Sequence, residues 1–132
     1  MVNDGDSNSN TATTTISVSA ANDAPALDLD ANDDNDTGNT TGFQTSFTEG
    51  GGAVSIAETD TDTTDADDTK IEGATITLTK AHTADALAAG TLPSGLTVAA
   101  VNSTATKVVL TGSATLADYE TAIKAITFNY TS

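Results

Sequence analysis

An all-β domain, folded as a Greek-key β-sandwich with one short helix near residues 115–124, is what this sequence predicts, and three observations carry that reading. Twenty-seven of the 132 residues are threonine, with valines and isoleucines besides, and β-branched side chains fit a pleated surface better than a helix. Several runs alternate apolar and polar residues, which sends one face of an extended chain inward. Turn signals separate those runs at short intervals, the spacing of a sandwich with Greek-key connections. With 37% hydrophobic but only 4% aromatic residues the core is expected to be thin, and the length suits one domain of ordinary size.

Taken in order, residues 2–10 are polar, and their Asp4-Gly5 dipeptide favours a hairpin-type reversal. Residues 11–18 read as a strand with Ile16 and Val18 on one face. Pro25 fixes its own backbone and pushes Ala24 to an extended shape, so residues 21–25 read as a linker. Residues 26–30 alternate as a short strand, and an acidic loop follows. Residues 43–48 and 53–57 flank Glu49 and Gly50, Gly51 and Gly52, where glycine permits positive φ. Residues 71–79 give the clearest strand, with Ala74, Ile76 and Leu78 inward and threonines outward. Residues 84–89 fit either a short strand or a helical turn. A tight turn at residues 92–96 enters a strand at 97–101, whose hairpin partner is 107–111. Thr115 then caps the one helical segment: Asp118 lies three residues on, as in a capping box, and Leu116, Tyr119 and Ile123 fall at helical spacing. A last strand, 126–130, alternates Ile126, Phe128 and Tyr130.

Charge narrows the partners. Four lysines face nineteen carboxylates, for a formal net charge of -15. Nucleic-acid binding draws on basic side chains that neutralise phosphates, so no nucleic acid is expected, and anionic membranes are disfavoured likewise. No apolar run approaches the roughly 18 to 20 residues that span a bilayer, so no direct membrane insertion is expected. The first residues lack both the basic start and the apolar stretch of a signal peptide, and the chain reads as an excerpt of something longer. Without cysteine there is no disulfide framework. Bound metal is the staple that could replace it.

Residues 58–72 hold seven carboxylates, Glu58, Asp60, Asp62, Asp65, Asp67, Asp68 and Glu72, against Lys70 alone. In an extended chain Glu58, Asp60 and Asp62 point one way and the intervening threonines the other. Such a row of hard oxygen donors suits Ca²⁺, which takes about six to eight oxygens in the irregular geometry a loop provides; a solvated acidic surface is the plainer alternative. Two further clusters occur: Asn3, Asp4 and Asp6, and then Asn22 and Asp23 with Asp28, Asp30 and the loop at 32–36. None is an EF-hand. From Asp30 the pattern continues through Asn32 and Asp34, but Asn35 stands where the turn glycine belongs and Thr41 where the closing glutamate belongs. A calcium site is therefore expected to be assembled from separate loops.

Catalysis has little to rest on. The three glycines lack the Gly-Lys-Ser/Thr of a phosphate loop, and His82, the sole histidine, has no nucleophile motif near it. Nineteen acids supply carboxylate pairs by chance, with no aromatic-lined pocket to raise one pKa. No enzyme is expected. Sequons at Asn35, Asn39, Asn102 and Asn129 follow from threonine richness alone.

Several segments together resemble the cadherin-like tandem repeats of giant bacterial surface adhesins of the RTX type. They are Val2-Asn-Asp-Gly-Asp-Ser-Asn, Asn22-Asp-Ala-Pro, Phe47-Thr-Glu-Gly-Gly, Asp65-Ala-Asp-Asp-Thr-Lys-Ile-Glu, Leu92-Pro-Ser-Gly-Leu and Leu116-Ala-Asp-Tyr with Ile126-Thr-Phe. The resemblance implies a cadherin- or immunoglobulin-like sandwich, type I secreted to the bacterial cell surface and strung in tandem, with Ca²⁺ at the junctions stiffening the array. On it the metal ligands would be Glu49, Asp65, Asp67 and Asp68, the linker pair Asn22 and Asp23, and Asn3, Asp4 and Asp6. Repeats of this kind continue past the Phe128 strand into another that ends in a Val-Asn-Asp-Gly turn, yet here that turn opens the chain. Residues 1–20 thus read as the terminal strand and turn of a preceding repeat, or of the same repeat split, and residues 26–132 as a sandwich lacking its last strands. An open sheet edge is expected. The expected function is a calcium-rigidified extender or scaffold domain in cell adhesion and biofilm. Its expected partners are neighbouring repeats of the same polypeptide and an inserted or adjacent ligand-binding module. The alternative is a calcium-dependent sugar- or peptide-binding adhesin module.

Overall fold

Alternating side chains build the sandwich. In the computed structural model, which describes residues 1–35, 38 and 40–130, the clearest strand of the sequence forms as β4 (Lys70–Thr77), after β1 (Ala26–Asp28), β2 (Val54–Ser55) and β3 (Asp62–Thr64). Ala74, Ile76 and the following Leu78 are half-buried while Thr75 and Thr77 are exposed, as a period of two requires. β4 pairs antiparallel with β7 (Lys107–Thr115), and the other edge of β7 carries β6 (Thr97–Val98), the expected hairpin. A second sheet has β8 (Ile126–Tyr130) at its centre, between β2 and β5 (Asp85–Ala89). Its β5 makes residues 85–89 of the ambiguous segment a strand, with Ala84 in the turn before it at a φ of 76°. Leu87 and Ile126 of this sheet meet Val108 and Leu110 of the first in one buried cluster. β1 and β3 pair separately as a two-stranded sheet. Among the described residues, eight strands in three antiparallel sheets with one short helix make the structure mostly β, consistent with an all-β sandwich.

The helix, α1 (Leu116–Lys124), follows β7 directly. Thr115 accepts from the Asp118 amide at 3.2 Å, and the Asp118 carboxylate accepts from the Thr115 amide at 3.3 Å. This is the expected capping box, which satisfies two donors at the helix start. Tyr119, Ala122 and Ile123 form the buried face. The Tyr119 hydroxyl donates to the Gly112 carbonyl at 2.7 Å, so its one polar atom is satisfied inside the core. Gly112 has a φ of 131°, and a Cβ there would collide with the Gly95 carbonyl, so glycine is needed where the 93–96 turn crosses β7.

Three expectations are corrected. Residues 11–18 form no strand: Ile16 is 80% and Val18 88% exposed, and strand propensity without a neighbouring ladder fixes nothing. Residues 97–101 form a strand only at Thr97 and Val98; the Ala99 amide still donates to the Val109 carbonyl at 2.8 Å, but a turn begins there, since the Ala99 carbonyl accepts from Asn102 and Ser103. The acidic row is not one extended face, since Glu58 and Thr61 close a turn, with the Thr61 hydroxyl on the Glu58 carbonyl at 2.8 Å. Only beyond it does alternation hold, with Thr61 and Thr63 buried and Asp62 exposed. The reversal at Asp4-Gly5 does form, with Asn3 bridged to Asn8 and Gly5 at a φ of 105°. Asp36, the sequon at Asn39 and Ser132 lie outside the described residues.

Candidate metal centre

Hydrogen bonds to one peptide bring two distant acidic segments together. The Leu29 carbonyl accepts from the Glu58 amide at 3.0 Å and from the Thr61 hydroxyl at 3.1 Å. The turn after β2 is thereby stitched to the chain leaving β1, and Glu58 arrives beside Asp30. The loop from Asp30 then folds on itself. Its Asp33 amide donates to the Asp30 carbonyl at 3.1 Å, the Asp34 amide to Asn32 Oδ1 at 2.9 Å, and the Asn35 amide to Asp30 Oδ2 at 2.8 Å. Asp33 takes a φ of 58°, a left-handed conformation that aspartate visits more readily than most residues.

The result is a group of three carboxylates, Asp30, Asp34 and Glu58, each offering one oxygen within 4.8 Å of the others. Asp30 is 0% exposed, and its Oδ1 has no hydrogen-bond partner. Glu58 Oε2 is also buried without a partner, as is Oδ1 of neighbouring Asp60, whose Oδ2 accepts from the Asn32 amide at 2.8 Å. The Asn35 side-chain amide donates to Glu58 Oε1 at 3.0 Å and to Asp34 Oδ1. Among the described residues no lysine pairs with any of the three. Lys124 instead reaches the Thr59 carbonyl at 3.3 Å.

Such crowding has an electrostatic signature. Desolvation pushes the Glu58 carboxyl above its ordinary value, the Asn35 hydrogen bond pulls part of the way back, and the Asp30 carboxyl, close enough to share a proton with it, raises it again together with the Asp34 and Asp30 charges. Asp30 is buried, Glu58 half-buried and Asp34 exposed; a buried carboxylate without a counter-charge is costly, and either a proton or a cation relieves it. The donors are all oxygen, with no histidine or cysteine among them, which is the set for a hard cation. An open cleft lined by Asn35, Phe43, Gln44, Ser55, Glu58 and Lys124 reaches the Glu58 side of the group. This cluster could hold a metal ion.

The nine residues marked by the resemblance lie elsewhere, in three places. Asp65 Oδ1 accepts from the amides of Asp67 and Asp68 at 3.1 and 2.9 Å, and those bonds hold its carboxyl below the usual range. The Asp67 carboxylate accepts in turn from the Asp23 amide at 3.3 Å, so the linker touches this loop. Asn22 donates to the Asp23 carbonyl at 2.7 Å. Asp4 Oδ1 accepts from the Asp6 and Ser7 amides at 3.0 and 2.8 Å, and Asn3 bonds Gly5 and Asn8, so this turn satisfies itself. The Asp4 carboxyl is lowered by the same amides. Glu49 is exposed at a turn closed by the Gly51 amide on the Thr48 carbonyl. Thus the Asp23 amide meets the loop of Asp65, Asp67 and Asp68 through Asp67, although their carboxylates form no close group among the described residues, whereas Asn3, Asp4 and Asp6 stay in their own turn and Glu49 in another.

Asp30, Asp34 and Glu58 were visible only as members of acidic runs. The Asp-X-Asn-X-Asp start at residues 30–34 was a signal, but its closing acid comes from a segment beyond β2, and no continuous-loop spacing can find that. Burial of Asp30 had no signal at all: alternation over 26–30 sends Leu27 and Leu29 inward, yet Leu27 is 44% exposed. Among known proteins, no family model, no curated protein and no solved structure matches this chain.

Proposed function

We propose that this chain is a calcium-rigidified extender or scaffold domain of a bacterial cell-surface adhesin, a Greek-key sandwich of the cadherin or immunoglobulin kind that works outside the cell in adhesion and biofilm. The observation that carries the reading is the buried, unpartnered Asp30 oxygen beside Asp34 and Glu58. Ca²⁺ fits that group better than Mg²⁺, because it accepts several carboxylate and carbonyl oxygens in irregular loops, whereas Mg²⁺ demands near-octahedral geometry and keeps its waters. Bound there, the ion ties the loop after β1 to the turn after β2 in a chain that has no disulfide to do so. The contact between Asp23 and Asp67 supports a second role for calcium at the linker, with Asn22, Asp65 and Asp68 as the neighbouring donors. Function is then mechanical: without metal the carboxylates repel and the linkers flex, and with it the repeats hold one direction.

Small-angle scattering on two copies of the chain joined end to end tests this. In calcium the particle is expected to be longer and stiffer than in chelator, while sugars and peptides leave it unchanged. Equal dimensions in both buffers would contradict the extender reading, and calcium-dependent capture of a glycan or peptide would favour a ligand-binding adhesin module instead.

A further inference from the structure

A strand without a sheet and a sheet edge without a strand occur in the same molecule. Six of the eight residues at 11–18 are β-branched, none joins a ladder, and Ile16 and Val18 stand out in solvent. β4 is an edge strand, paired on one side only, by β7. Its Leu78 end fixes the phase of the ladder: the Leu78 amide points at Thr106, so by alternation the Ile76 and Ala74 amides also face β7. The Gly73, Thr75 and Thr77 backbone groups therefore face outward, and among the described residues no hydrogen bond outside the ladder uses them. The other edges are less open. β1, β2, β3 and β6 are only two or three residues long, the Thr63 amide of β3 already donates to Glu120, and the Leu87 amide on the outer side of β5 donates to the Ala105 carbonyl at 2.7 Å.

Beside Gly73 and Ala74 lies a small apolar cavity of about 120 Å³, walled by Leu27, Ile71, Tyr119 and Ile123. We propose that residues 11–18 of a second copy of this chain add as a strand to the free edge of β4, with main-chain bonds to Gly73, Thr75 and Thr77. Strand addition of this kind takes its affinity from the ladder and its register from alternate side chains. Ile16 and Val18 are two apart, so they share a face, and that face enters the cavity. Charge favours the same pairing. Residues 7–22 carry no ionisable side chain, and Lys70 offsets Glu72 on β4, so two chains of -15 each meet through their neutral parts. The donor is a second copy because each chain's own residues 11–18 lie outside its ladder, while its Pro25 and Ala26 already wall the cavity.

Sedimentation velocity over a concentration series, run in chelator as well as in calcium, tests the proposal apart from the metal site. A concentration-dependent dimer is expected in both buffers, lost in the Ile16→Asp/Val18→Asp variant, whose changes fall on exposed side chains and leave the core intact. A synthetic peptide spanning residues 9–20, added to that variant, is expected to slow amide exchange at Gly73, Thr75 and Thr77. A wild-type chain that stays monomeric, a dimer that survives the double substitution, or a peptide without effect on those amides would each overturn it.

Discussion

Glu58→Gln is expected to stabilise the domain in chelator at neutral pH and to weaken it in calcium. Folding raises the Glu58 pKa above the ordinary 4.5, chiefly through desolvation. An acid whose folded pKa is raised binds its proton more tightly in the folded state, so its ionisation opposes folding. That penalty is absent at pH below the ordinary value and accrues as pH rises through the raised one. In chelator the wild type should therefore lose stability across that window, and the glutamine variant, which has nothing to ionise, should not. Calcium reverses the order, because the ion neutralises the group and glutamine offers a weaker, uncharged oxygen in place of a carboxylate. Urea unfolding of both proteins, at mildly acidic and neutral pH with and without calcium, checks the sign. If the two proteins keep the same ranking in both buffers, Glu58 does not touch the ion.

Leu110→Ala carries the largest expected loss of stability, about 2 to 5 kcal/mol. Leu110 is fully buried at the middle of β7, where β4 and β6 meet it on either side through Ala74 and Val98. The buried cluster around it mixes aliphatic residues, Leu87, Leu96, Val108 and Ile126, with Ala114 and Ala122, and Tyr119 is its one fully buried aromatic. Such a core has little with which to refill a cavity, and a typical domain is stable by only about 5 to 15 kcal/mol in total. The midpoint of denaturant unfolding should fall with its slope unchanged. A loss under about 1 kcal/mol would mean that the two main sheets do not meet at this residue.

What could be read from the residues depended on whether the information was local. Residues 71–79 announced β4 because threonine and aliphatic positions alternate without interruption, and Thr115 with Asp118 announced α1 because a capping box lies within one turn. Residues 11–18 show the limit of the same logic: their composition is as strand-like as that of β4, but a strand needs a neighbour, and propensity does not supply one. The acidic residues divide in the same way. Asp4 and Asp65 bond amides two and three positions ahead, a local geometry that Asp-rich turns adopt by themselves. Asp30 and Glu58 meet only because the Leu29 carbonyl gathers Glu58 and Thr61, a contact set by how the sheets stack. Acidic composition pointed to a hard cation, and tertiary contacts chose which acids would hold it.

The most direct test of the account is thermal unfolding in excess calcium and in excess chelator, for the wild type and for Asp30→Asn. If an ion sits among Asp30, Asp34 and Glu58, linkage gives on the order of 1 to 3 kcal/mol at millimolar calcium. The wild-type Tm should then rise by several degrees in calcium, and the Asp30→Asn variant should gain clearly less from calcium than the wild type does. A wild-type transition indifferent to calcium, or a variant that gains as much from calcium as the wild type does, would contradict the metal centre and with it the stiffening role proposed for the domain.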